Sequence, residues 1–163
     1  MLALLWAVAC AGGVRGDKAE GLVLNELLAR NLNTNLDGAG DADDWLEIWN
    51  GGDEPVSRKN LAISDDPDTP DRFLLPEGDP IAPGSFLLIW CDGDPEQGDQ
   101  HADFKLSGLG EDIYLSYIDR NEPVLIDEVE FGEQTVDQSW ARVADGDPTW
   151  GAATPTPGES NGQ

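Results

Sequence analysis

The stretch Asn33-Thr34-Asn35-Leu36-Asp37-Gly38-Ala39-Gly40-Asp41-Ala42-Asp43-Asp44 spaces oxygen-bearing side chains as a twelve-residue calcium loop does. Asn33, Asn35 and Asp37 take the first, third and fifth places, with Gly38 sixth for the sharp turn. Ala39 offers its backbone carbonyl from the seventh place, and Asp41 and Asp44 fill the ninth and twelfth. Calcium is a hard ion that takes six to eight oxygens, so alternating side chains wrapped around one point suit it. The loop departs from the usual pattern in three ways. It starts with Asn, it ends in a short Asp in place of a bidentate Glu, and no helical pattern flanks it. The competing reading is a solvated turn, since Asn, Asp and Gly gather in turns for local reasons. Two more acidic loops, Asp65–Asp71 and Asp92–Asp99, are open to the same pair of readings.

Other chemistry is thinly supported. Carboxylate pairs can run a hydrolase, but with 33 acidic residues in the chain, pairs arise by chance. His101 is the one histidine and reads as a solvated or hydrogen-bonded side chain. Cys91 closes an apolar run among acids, which favours a buried, inert thiol over a nucleophile. Five tryptophans, Trp45, Trp49, Trp90, Trp140 and Trp150, read mostly as core, with Trp49 and Trp150 the ones whose exposure would suggest ligand binding. Against the acids stand only 9 lysines and arginines, for a formal charge of −24. Such a surface repels phosphate backbones and anionic lipid, which excludes nucleic acid and polybasic membrane docking. A non-catalytic protein is expected.

The elements that must position these residues are strands. Short apolar runs alternate with turns rich in Gly, Pro and Asp: Leu22–Leu28, Trp45–Trp49, Leu61–Ser64, Arg72–Leu75, Phe86–Trp90, Ile113–Ile118, Val124–Phe131 and Ser139–Val143. Leu46 and Ile48 share one face, with Glu47 on the wet one. Ile113, Leu115 and Tyr117 share another, and Val129 and Phe131 alternate with Glu128 and Glu130. This is the antiparallel pattern of one buried and one solvated face. Phe86–Trp90 is apolar throughout and predicts a central strand covered on both faces. The tail from Thr154 to Gly158 reads as extended. With 163 residues, 39% of them hydrophobic, one all-β sandwich domain is expected.

The chain begins with the apolar run Met1–Ala9, which reads as a signal segment, without the basic residues that normally precede such a run. Cys10 follows small residues as in a bacterial lipoprotein box, and is the candidate lipidation site. Ordinary cleavage after Ala9 or Ala11 is the alternative. Residues 10–20 then read as a tether and 21–163 as the sandwich domain with its extended tail.

The ordered set of strands resembles the bacterial, exported branch of the lamin tail domain family, an immunoglobulin-like antiparallel β-sandwich. The matching pieces begin with Leu24-Asn25-Glu26, Asp44–Asn50, Leu61–Asp65 and Ile81–Trp90. They continue with Phe104-Lys105-Leu106, Gly110–Leu115, Ser139–Arg142 and Thr156–Asn161. Together they span Gly21 to Asn161. The resemblance implies a binding and assembly module with no shared catalytic residues. The function expected from it is a non-catalytic cell-envelope module, calcium-stabilised through the 33–44 loop, whose partner is a protein or a surface polymer. Any membrane attachment is through an N-terminal lipid anchor. The alternatives are a ligand-free surface spacer and a carboxylate-dependent hydrolase.

Overall fold

A computed structural model describes residues 18–162. The signal segment 1–9, Cys10 and the tether up to residue 17 lie outside the described residues. The remaining tether residues, 18–20, form a turn against the domain, and Ala19 is part of the core.

Among the described residues, ten strands form two sheets. In chain order they are β1 (Leu22–Leu28), β2 (Trp45–Asn50), β3 (Leu61–Ser64), β4 (Phe73–Leu74), β5 (Phe86–Cys91), β6 (His101–Ala102), β7 (Glu111–Asp119), β8 (Glu122–Phe131), β9 (Ser139–Arg142) and β10 (Trp150–Ala153). A 3-10 turn covers Pro95–Gln97. One sheet runs β10-β9-β1-β2-β5-β6 and the other β4-β3-β7-β8. Every pairing is antiparallel except the short parallel one between β5 and β6. The sheets pack face to face as an all-β sandwich. Leu24, Leu46, Ile48, Leu87 and Ile89 of one sheet meet Leu61, Ile63, Ile113, Leu115 and Phe131 of the other. Period-two alternation delivers these side chains inward, and their burial is the main driving force of the fold.

Two bulges re-aim polar groups. The β1–β2 register slips between Leu24 and Glu26, and the β7–β8 register slips beside Leu115 and Ser116. An extra residue in one strand turns the following side chains off the regular alternation. Asp127, just past the second slip, accepts the Leu24 backbone N–H at 2.8 Å and an Arg142 N–H at 2.8 Å. Arg142 is buried, donates from Nε to the Leu24 carbonyl at 2.6 Å and from Nη1 to the Asp147 carbonyl at 2.7 Å. Its guanidinium lies 4.8 Å from the Trp150 ring centroid. One planar cation thus joins β1, β8, β9 and the loop before β10.

Two expectations need correction. Glu47 alternates correctly with Leu46 and Ile48, yet it is fully buried. The chain after β10 folds back over that face: Gly158 N–H donates to Glu47 Oε2 at 2.6 Å, and the Thr156 N–H and hydroxyl donate to Glu26. Asn161 reaches the Asn25 carbonyl at 3.1 Å. Burial raises the Glu47 carboxyl to about 8, with the neighbouring Glu26 charge adding to it. Strand β5 is the second correction. Its inward residues Leu87, Ile89 and Cys91 are buried, but Phe86, Leu88 and Trp90 are only half-covered. Cys91 is fully buried as expected, and burial pushes its thiol well above the ordinary range.

Gly21 opens β1 at φ +87°, where a built Cβ would stand 2.4 Å from Gly52 N and 2.6 Å from Gly52 Cα. Both obstacles are backbone, and the Gly51 N–H bonds the Gly21 carbonyl at 2.8 Å, so neither chain can retreat. Gly21→Ala is expected to cost roughly 1–3 kcal/mol, combining left-handed strain with the clash. Urea unfolding of the two proteins measures it, and equal midpoints would show that the two segments separate at little cost.

Candidate cation site

The loop between β1 and β2 is organised by Asn31, which is buried three residues past β1. Its amide donates to the carbonyls of Asn35 (2.8 Å) and Asp43 (2.9 Å), and its Oδ1 accepts from Thr34 N (3.1 Å) and the Thr34 hydroxyl (2.7 Å). The loop therefore closes on an asparagine side chain, and the proposed calcium ligands scatter. Asn33 turns away and binds Asp137 through both its backbone N–H and its amide, each at 3.0 Å. Asn35 Oδ1 lies 3.4 Å from both the Asn31 amide and the Thr34 hydroxyl. Asp44 accepts the Asn31 N–H at 2.9 Å, and burial raises its carboxyl to about 6. Ala39 donates its N–H to Asp37 Oδ1 at 2.9 Å.

Asp37 and Asp41 do come together, and Asp43 joins them. One carboxylate oxygen from each lies within 4.8 Å of the other two. The turn that sets this up is local. Asp37 Oδ1 accepts three consecutive backbone N–H groups, from Ala39 (2.9 Å), Gly40 (2.7 Å) and Asp41 (2.7 Å). Gly40 takes φ +94°, which only glycine adopts freely. These N–H groups, that of Asp41 foremost, hold the Asp37 carboxyl below the ordinary carboxylate range. Asp37 therefore keeps its negative charge inside the protein, its side chain 1% exposed.

The second oxygens are not satisfied. Asp37 Oδ2 and Asp43 Oδ2 are both buried and accept no hydrogen bond. Burial raises the Asp43 carboxyl, and the charges of Asp92, Asp37 and Asp41 raise it further. A buried anion without a counter-charge is costly, and buried charges are normally paired or coordinate metals.

Two residues from another loop complete the surroundings. Asp92 follows β5 and His101 opens β6, and both are buried. His101 Nδ1 is 2.5 Å from Asp92 Oδ2, and its Nε2 is 4.0 Å from the unsatisfied Asp37 Oδ2. The ring stacks on Trp90 at 6.2 Å between centroids and 22° between planes. Asp43, Asp92 and His101 are thus neighbours that the loop pattern missed. The 65–71 loop lies apart from this cluster; there Asp65 pairs with Arg72. Trp49, Trp90, Trp140 and Trp150 are half-buried, and Trp45 is fully buried.

Comparisons with protein-family profiles, with curated proteins and with solved structures found no match to this chain.

Proposed function

We propose that the chain is a non-catalytic binding and assembly module of an exported, envelope-associated protein, steadied at one end of the sandwich by a divalent cation. The observation that carries the cation is the pair of buried, unsatisfied oxygens on Asp37 and Asp43. The observation is independent of the twelve-residue spacing, because Asn33, Asn35 and Asp44 are engaged elsewhere. Calcium, which the loop pattern expects, is the first ion to test. The lamin-tail resemblance supports an immunoglobulin-like sandwich that presents its loops to a protein or surface polymer. Export and lipid anchoring at Cys10 rest on residues 1–10 of the sequence.

An ion that binds only the folded state stabilises it, by about 2.7 kcal/mol at about 100 times its Kd. The metal-stripped full chain is expected to melt higher when calcium, manganese or zinc is added. The double variant Asp37→Asn, Asp41→Asn is expected to lose that shift. A melting curve that none of these ions moves would overturn the cation-steadied module and favour a ligand-free spacer whose charge serves solubility.

A further inference from the structure

We propose that the ion held at this end is one that accepts an imidazole nitrogen, of the zinc or manganese class, with His101 as its nitrogen ligand and Asp92 as the residue that orients the ring. The proposal rests on the cation reading above and names the ion chemistry for that same site. It adds His101, whose Nε2 faces Asp37 Oδ2 at 4.0 Å, to the cluster of Asp37, Asp41 and Asp43.

Asp92 Oδ2 sits 2.5 Å from His101 Nδ1, so a neutral ring carries its proton on Nδ1 and donates it there. Nε2 then presents a lone pair, and the atom it faces is another acceptor, the orphaned Asp37 Oδ2. Two acceptors then face each other, and the Asp37 oxygen is buried without a donor. A protonated ring would meet Asp37 as an ion pair, but the 4.0 Å gap exceeds the 2.7–3.2 Å of an N–H···O hydrogen bond, so the oxygen would still lack a direct partner. A metal ion between the two atoms serves both. Bonds of about 2.0–2.1 Å to each atom span roughly 4.0–4.2 Å at a wide angle, and closure to a tetrahedral angle needs less than about 1 Å of movement.

The surroundings match that role. A metal-bound histidine almost always donates its other N–H to a carboxylate or carbonyl, which fixes its tautomer and orientation. Asp92 occupies that place, and the Trp90 ring limits rotation from the flank. Asp92 is itself fixed by the Asp94 N–H at 2.8 Å. Imidazole with carboxylates suits zinc and manganese, whereas calcium takes oxygen alone. Asp41 is the exposed member of the group.

The test uses the full chain prepared without a histidine tag and stripped of metal. His101 is the only histidine, so its ring nitrogens give single, assignable resonances. Zinc is expected to bind one to one and to shift the Nε2 resonance far more than the Nδ1 resonance. His101→Gln and Asp92→Asn are each expected to weaken zinc binding about 10–100-fold. Zinc binding that leaves the wild-type Nε2 resonance in place would overturn the proposal even if a variant failed to fold. If calcium binds and the ring nitrogen does not move, the cation reading stands and the role of His101 falls. If no ion binds, both fall.

Discussion

Arg142→Met is expected to cost about 3–5 kcal/mol of stability, as breaking one side of a buried ion pair does. The arginine is the shared donor for the Leu24 carbonyl, the Asp147 carbonyl and the Asp127 carboxylate. Methionine fills similar volume and preserves packing on Trp150, so the loss measures polar contacts and not a cavity. It leaves Asp127 without its cation and the Leu24 carbonyl without the guanidinium. For a domain of this size the melting temperature is expected to drop by about 10 °C or more. Arg142→Lys separates the contributions. Lysine restores charge but has no planar fork to serve three acceptors at once, so it is expected to recover only part of the loss. A thermal melt of Arg142→Met within about 2 °C of the wild type would show that the two sheets do not depend on this junction.

The second large effect is on pH dependence. Glu47 stays protonated in the folded protein until about pH 8, whereas its ordinary value is 4.5. Below pH 4.5 both folded and unfolded chains carry the proton, and the stability is complete. As the pH rises from 4.5 to 8, the unfolded chain ionises and the folded one does not. Stability is therefore lost across that window, at up to about 1.4 kcal/mol per pH unit, and the loss levels off above it. Asp44 acts in the same direction between 3.8 and about 6, and Glu26 is also raised. The domain is expected to resist urea better at pH 5 than at pH 8. Glu47→Gln keeps an acceptor for the Gly158 N–H and removes the ionisation. It is expected to flatten most of the slope and to raise the urea midpoint at pH 8. An unchanged slope in the variant would place the pH dependence in the chain's general charge of −24.

The strands were readable where the alternation is local and the turn residues are strong. Leu22–Leu28 and Leu61–Ser64 end at the expected residues, and the inward faces of β7 and β8 fall where Ile113, Leu115, Val129 and Phe131 place them. Strands β6 and β10 carried no comparable signal. His101-Ala102 is too short for a period, and Trp150-Gly151-Ala152-Ala153 has no β-branched residue. Glu47 looked solvent-facing because its cover comes from Gly158, 111 positions away. The cation cluster was half legible for the same reason. Asp37 and Asp41 share one turn and can be found by spacing. Asp92 and His101 arrive from the far end of the parallel β5–β6 pair, which no local pattern encodes.

The C-terminal tail also sets an order of events during synthesis. Strand β1, the first to be made, pairs on one side with β9, and its Glu26 is covered by Thr156, 130 positions later, while Asn161 reaches Asn25 from 136 positions away. The native contacts of β1 are therefore complete only once the chain through Asn161 is available. Such distant pairings close slowly, on the scale of milliseconds to seconds. A chain threaded from its N-terminus through a narrow pore would complete these contacts only on the far side, after Asn161 has passed.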